Sequence, residues 1–308
     1  MNKLVVLGSV NADHVLQVNQ FPRPGETLLG KGYQVIPGGK GANQAVAAAR
    51  LGADIAFIAC VGNDHFGHQI IKDFAADGIN VDAVMIDENK PTGIAMIQVA
   101  ASGENSIALS AEANDSLTVE RLTEHNALIE QADTLLMQLE TPMETIEAAA
   151  KIASKAGTQV VLNPAPAQSL SADLLAMIDV ITPNETEAEL LTGINVIDQA
   201  SAQQAADKLH LMGVDLVMIT LGKEGVWVSR QGSISEQIKG FVVKAVDTTA
   251  AGDTFNGGLL AGLQQGLLLD QAIRFAHAAA AISVTKSGAQ TSIPTYSEVE
   301  LFLVENSY

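Results

Sequence analysis

Apolar residues along this chain fall into short, β-branched blocks separated by longer amphipathic stretches. The blocks LVVLG (4–8), IAFIACVG (55–62), TLLMQL (134–139), QVVLN (159–163), DVITPN (179–184) and DLVMITLG (215–222) predict buried strands. Between them ANQAVAAARLG (42–52), PMETIEAAAKIASKA (142–156) and the segment 198–213 predict helices. Strands buried on both faces and alternating with helices form a parallel sheet, so the expected fold class is α/β, an open, mostly parallel sheet with helices on both faces.

Two regions break the rhythm. Residues 10–36 and 92–109 each read as strand, turn, strand with no helix between. They predict a small β-sheet lid inserted into a single 1–308 domain. Apolar alternation in these strands calls for a packing partner on one face, and the same sheet of a second subunit would serve, making a homodimer.

Composition narrows the partners. The chain has 308 residues, 47% of them apolar and 17% charged, a globular balance. With 17 Lys and Arg against 35 Asp and Glu the net charge is -18, which disfavours nucleic acid and repels anionic nucleotides at long range. Any phosphate site must therefore be made locally, from amides, a lysine or a metal. Cys60 is the single cysteine, so neither an internal disulfide nor a multi-cysteine metal site is expected, and a reducing, cytoplasmic setting fits. No apolar stretch approaches the roughly 18 residues of a membrane span.

The placement of polar residues is the most informative pattern. Asn11 and Asp13 follow the first predicted strand, Glu140 the third, Asn163 the fourth and Asn184 the fifth, while Thr220 and Gly222 end the sixth. Open α/β sheets bind ligands outside the carboxyl ends of their strands. Five strands carrying hydrogen-bonding residues at that edge define a candidate site.

The stretch AVDTTAAGDTFNGG (245–258) carries the candidate chemistry. Phe255, Leu259 and Leu263 have helical spacing, and the preceding turn would aim unpaired amides at an anion. Ala250, Ala251 and Gly252 leave room for that anion, and Asp253 stands beside it. A helix-capping Asp would need no glycine in front of it. An acid next to an anion hole suits phosphoryl transfer to an alcohol, with Asp253 accepting the hydroxyl proton. Gly257, Gly258, Ala261 and Gly262 predict close helix packing.

A second glycine-rich stretch, VIPGGKGANQAVAAARLG (35–52), is neither GxxxxGK[ST] nor a GxGxxG following the first strand. Gly38, Gly39, Lys40 and Asn43 instead offer amides, an ammonium and a side-chain amide suited to hydroxyls. In TPNETEAELLTG (182–193), Asn184 and Glu187 fit either a helix cap or a hydrated magnesium near phosphates. TLGKEG (220–225) is a strand-to-strand turn whose Lys223 and amides could also meet a triphosphate. His277 reads most simply as a helix histidine, and His65 and His68 carry no assignment.

Through SVNADH, GGKGANQA, MQLE, TPNETEAE and VDTTAAGDTF, in that order, the whole chain resembles the ribokinase family of ATP-dependent carbohydrate kinases. The resemblance implies that Asn11, Asp13, Gly39, Lys40, Asn43, Glu140 and Asp253 hold a sugar, with Asp253 as base and Ala250, Ala251 and Gly252 as the anion hole. It implies an ATP site of Asn184, Thr220, Leu221, Gly222, Lys223, Glu224, Gly225, Gly252, Asp253 and His277, with Glu187 linked to magnesium through water. It further implies a potassium site of Asp247, Thr249, Ser283, Lys286, Gly288 and Ser292, held mostly by backbone carbonyls. The implied reaction transfers the γ-phosphoryl of MgATP to the 5-hydroxyl of D-ribose. Deoxyribose, fructose or nucleoside kinases are the enzymatic alternatives. A sugar sensor without chemistry would have no use for the intact acid and anion hole, and a dehydrogenase would need the absent dinucleotide fingerprint.

Overall fold

The structure, a computed structural model, describes residues 4–306. The chain opens with β1 (Leu4–Leu7), leaves it for β2 (Asn11–Val18) and β3 (Lys31–Gly38), and enters α1 (Lys40–Arg50). It returns through β4 (Ile55–Gly62), α2 (His65–Ala76) and β5 (Val84–Asp87), then makes a second excursion into β6 (Gly93–Ala100) and β7 (Asn105–Ser110). Two short helices, α3 (Val119–Thr123) and α4 (Asn126–Glu130), lead to β8 (Thr134–Met137), α5 (Met143–Ala156), β9 (Gln159–Leu162), α6 (Ala172–Leu175) and β10 (Val180–Ile181). Next come α7 (Glu185–Thr192), α8 (Gln199–Leu211), β11 (Leu216–Thr220), β12 (Val226–Arg230) and β13 (Glu236–Ile238). Three helices follow, α9 (Ala251–Gln264), α10 (Leu269–Ser283) and α11 (Tyr296–Glu305).

Nine strands form the main sheet in the order β13-β12-β11-β10-β9-β8-β1-β4-β5, parallel throughout except that β12 runs antiparallel to both neighbours. Every residue of β1 is buried, because alternate side chains enter two cores. Val5, Leu7, Leu135 and Met137 face one side with Ile146 of α5 and Leu209 of α8. Leu4, Val6, Phe57 and Leu136 face the other with Val46 of α1, Leu259 of α9 and Ala276 of α10. Continuous apolar strands are the expected consequence of covering both faces.

Helix α9 lies against α1 and α10 because both contacts are stripped to backbone. A β-carbon on Gly257 would stand 2.5 Å from the Ala47 β-carbon, and one on Gly258 3.2 Å from the Ala276 α-carbon. The small residues foreseen at 257–262 thus set the interhelix distance, which puts the first turn of α9 beside the start of α1.

The second sheet has four strands in the order β3-β2-β6-β7. Strands β2 and β6 are parallel and the outer pairs antiparallel. Its strands lie within a residue or two of the segments 10–36 and 92–109. Asn11 and Asp13, expected after the first strand, are inside β2 and so belong to the small sheet.

Other boundaries shift for local reasons. Strand β10 keeps only two of the six residues expected at 179–184, since Pro183 has no N–H to give a ladder and Asn184 already caps α7. Helix α9 starts at Ala251, four residues before its first large apolar side chain, so Asp253 lies within its first turn. Among the described residues no helix is long and apolar enough to cross a membrane.

Candidate active site

The first turn of α9 is held open by backbone strain. Ala250, the residue before the helix, has φ 58, one of two non-glycine residues with positive φ among those described. That geometry costs on the order of 1 kcal/mol for an L-residue and is retained where it positions a site. Ala251 donates its amide to the Thr248 carbonyl at 3.3 Å, whereas the amides of Gly252 and Asp253 find no protein acceptor. The α9 dipole therefore ends in two available donors. A β-carbon on Gly252 would meet no atom within 4 Å, and Gly252 and Asp253 line an open cleft.

Asp253 is buried, with each carboxylate oxygen fixed from α1. Asn43 Nδ2 donates to Oδ2 and Gln44 Nε2 to Oδ1, both at 2.9 Å. Gln44 also donates to Asn163 Oδ1 at 2.9 Å and accepts from Gln138 Nε2 at 2.6 Å. Asn163 Nδ2 donates to the Thr182 carbonyl, Thr182 Oγ1 to Asn256 Oδ1, and Asn256 Nδ2 back to the Gly252 carbonyl. The carboxyl ends of β8, β9 and β10 are thus tied by side chains to the turn that carries Asp253.

On one side of Asp253 lies a cluster of acids around one lysine. Lys40 opens α1 after Gly39, whose φ of 92 and whose 2.9 Å clearance to the Asn11 amide and Ser9 carbonyl admit only glycine. Glu140, beyond β8, accepts from Ser9 Oγ at 2.5 Å and from the Lys40 amide at 2.9 Å. Burial raises the Asp13 carboxyl to about 7, with Glu140 and Asp253 adding to the rise. Burial works against the Lys40 ammonium, but Asp253, Glu140 and Glu187 outweigh it and hold its pKa above the ordinary lysine value. Asp13 Oδ1 and Asn43 Oδ1 are buried acceptors with no protein donor. Buried acceptors without partners are costly, so both atoms are open to a donor from water or a ligand.

On the other side a cleft of about 370 Å³ runs between the α9 turn and the ends of β10 and β11. Lys40, Asn184, Glu187, Thr220, Gly222, Gly225 and His277 line it together with Ala250 to Asp253. Asn184 and Glu187 form a reciprocal capping box on α7, the Glu187 amide donating to Asn184 Oδ1 at 2.8 Å and the Asn184 amide to Glu187 Oε2 at 2.9 Å. Burial raises the Glu187 carboxyl, opposed by the Asn184 amide and by Lys40. His277, on α10, packs 5.3 Å from Phe255, and burial lowers its pKa to about 4, leaving a neutral ring in the cleft.

The hairpin at 220–225 is less available than its sequence implies. The amides of Thr220, Leu221, Glu224 and Gly225 already donate within the protein, to Pro183, Gly225, Leu221 and Gly222 respectively. Leu221, Lys223 and Glu224 do not line the cleft; Gly222 and Gly225 do.

Of the residues implied for a monovalent ion, Thr249 and Gly288 meet Asp247 just before the α9 turn. Asp247 Oδ1 accepts from the Thr249 amide and hydroxyl at 2.9 and 2.6 Å, and Oδ2 from the Gly288 amide at 2.9 Å. Burial opposes the charge of Asp247, but these donors hold its carboxyl below the ordinary value. The Ser283 carbonyl accepts from the Lys286 amide, and the Lys286 ammonium reaches Glu298 at 2.8 Å, away from Asp247. Ser283 Oγ and Ser292 Oγ donate to the Ala280 and Ala289 carbonyls. Among the described residues no three His, Cys, Asp or Glu side chains converge on a metal position. The Asp247 carboxylate and the Ser283 and Ser292 hydroxyls are hard oxygen groups, a chemistry compatible with a monovalent cation.

Two residues at this site escaped sequence reasoning. Asn114 receives the Val10 amide on Oδ1 at 2.8 Å, and its Nδ2 donates to the Val10 carbonyl and to Asn11 Oδ1 at 3.1 and 2.8 Å. It lies over a hundred positions from Asn11 in a short 3-10 turn, and no local pattern marks it. Gln44 is fully buried, although nothing local distinguishes a glutamine on an Ala-rich helix from a surface one.

Comparison with known proteins identifies the family. Residues 1–296 match the model of the pfkB family carbohydrate kinases. The chain is 58% identical to the ribokinase of Haemophilus influenzae across 97% of this chain and 98% of that one. It is 42% identical to the ribokinase of Staphylococcus aureus, across 97% and 98%. Its fold matches Arabidopsis thaliana ribokinase, solved with ribose and ATP, with a TM-score of 0.93 at 34% identity, covering 98% of each chain. The chain belongs to the pfkB family of carbohydrate kinases, and its fold is that of an ATP-dependent carbohydrate kinase.

Proposed function

We propose that the protein is a ribokinase: it transfers the γ-phosphoryl of ATP to the 5-hydroxyl of D-ribose, giving ribose 5-phosphate and ADP. The observation that carries this reading is Asp253 itself, a buried acid within a helix's first turn, beside two free amides and between a hydroxyl-seeking cluster and an open cleft. Asp13, Asn11, Asn43, Glu140, Gly39 and Lys40 hold the sugar. Asp253 takes the 5-hydroxyl proton as that oxygen bonds to the γ-phosphorus, and the bond to the β–γ bridging oxygen breaks to release ADP. The Gly252 and Asp253 amides, with Lys40, meet the charge on the phosphoryl oxygens.

Asn184, Gly222, Gly225 and His277 line the nucleotide cleft, and the neutral His277 ring suits a flat, uncharged base. Magnesium, held by the phosphates with Glu187 reached through water, would supply further charge neutralisation there. Potassium beside Asp247, Thr249, Ser283, Lys286, Gly288 and Ser292 would fix the loop that precedes α9.

The small sheet acts as a lid on a single-domain body. His14, Val35 and Met96 are register partners on the face opposite Asp13, and Tyr33 continues that row. Tyr33 and Met96 are 61% and 57% exposed, which supports a homodimer through the lid. A single buried cysteine is in keeping with a cytoplasmic protein.

ADP release from MgATP should be measured with D-ribose, 2-deoxyribose, fructose and adenosine, in potassium and in sodium. Rapid, potassium-dependent turnover with ribose is expected. Ribose binding without turnover would make the protein a sensor, and preference for another acceptor would reassign the substrate.

A further inference from the structure

We propose that Gln44 is a positioning residue for proton acceptance by Asp253, an inference that rests on reading Asp253 as the base. The Gln44 amide is fully buried and has one orientation available. Both of its N–H groups are used, one on Asp253 Oδ1 and one on Asn163 Oδ1, each at 2.9 Å. Its carbonyl accepts from Gln138 Nε2 at 2.6 Å. Asn163 cannot reverse its part, because its own Nδ2 is committed to the Thr182 carbonyl at 3.0 Å. A flipped Gln44 would break three hydrogen bonds and turn its oxygen towards a carboxylate.

Core filling does not explain such a residue, since an apolar side chain of that size would need no partners. The arrangement has a direction: Gln138 donates to Gln44, which donates to Asp253. With Asn43 on the other oxygen, two consecutive residues of α1 set the carboxylate plane and leave one lone pair on each oxygen for a sugar hydroxyl. The helix contact is set at the same residue, for a β-carbon on Gly257 would stand 2.7 Å from the Gln44 backbone carbonyl oxygen. The charged groups acting on or near Asp253 are Asp13 from β2, Lys40 from α1 and Glu187 from α7, with Glu140 beyond them. None is changed by a substitution at position 44.

The test is steady-state kinetics of the full-length protein with D-ribose and MgATP from pH 5 to 9, comparing wild type, Gln44→Met, Gln44→Glu, Gln138→Met and Asp253→Asn. Gln44→Met should lower kcat about 10- to 100-fold while the KM for ribose stays within about threefold, a loss of alignment rather than of binding. Gln44→Glu, which keeps the length of the side chain but sets a second carboxyl against Asp253, should lower kcat at least as far, again at a nearly unchanged KM. Gln138→Met, which frees Gln44 without touching Asp253, should lower kcat about 3- to 10-fold at unchanged KM.

A folded Gln44→Met with kcat within twofold of wild type overturns the inference. If melting shows that neither Gln44 variant folds, Gln138→Met decides: wild-type kcat, or failure to fold as well, assigns the amides to the core and overturns it. Wild type inactive on every sugar would instead sink the kinase reading, whereas an active wild type, an inactive Asp253→Asn and normal Gln44 variants would sink this inference alone.

Discussion

A β-carbon on Gly38 would stand 2.0 Å from Asp13 Oδ2: the bare end of β3 is the space into which the Asp13 carboxylate of β2 folds. Gly38→Ala should therefore leave the main sheet intact and push Asp13 away from the sugar. The KM for ribose is expected to rise at least tenfold, on the order of 1.4 kcal/mol of binding, with a smaller change in kcat. An unchanged KM would show that Asp13 does not hold the sugar.

The raised pKa of Asp13 predicts a pH dependence of substrate capture. Sugar hydroxyls donate to the ionised carboxylate, so kcat/KM for ribose should climb from pH 6 through about 7 and level off above it. Asp13→Asn should bind ribose poorly and lose that climb.

Stability should run the other way. Between the ordinary carboxyl value of 3.8 and about 7 the folded state keeps a proton that the unfolded state has released, so Asp13 lowers stability as pH rises across that window. At pH 8 the ligand-free Asp13→Asn protein should be the more stable of the two, by up to about 4 kcal/mol. Thermal melting at pH 5 and pH 8 checks the sign.

Gly252→Val separates folding from phosphate binding. No atom lies within 4 Å of the new β-carbon, so the melting temperature should change little. The side chain would, however, enter the space before the two free amides. Turnover should fall about 100-fold or more, as when an anion-hole donor is lost. Retained turnover would place the phosphoryl elsewhere.

Gly257→Ala should do the reverse. Its methyl would press on Ala47 and on the Gln44 carbonyl at 2.5 and 2.7 Å, forcing α9 away from α1. A loss of roughly 1–3 kcal/mol in unfolding free energy is expected from overpacking, with activity falling as Asp253 shifts.

Strand and helix order was legible in the sequence because burial on both faces of a parallel sheet imposes unbroken apolar blocks, and helices between them impose a different period. Asp253 was legible too, since an acid behind Gly252 in a row of small residues has few other uses. The strained turn at Ala250 was not, because nothing in an alanine announces a positive φ. Nor was the limited availability of the 220–225 amides, which depends on Pro183 and on the hairpin closing on itself. Asn114 reaches Asn11, and Gln44 reaches Asn163 and Asp253, only once strands and helices distant in the chain are brought together. Local periodicity determines which elements form and which residues carry chemistry, whereas the direction of each buried hydrogen bond depends on partners from elsewhere in the chain, and that was decided by the tertiary structure alone.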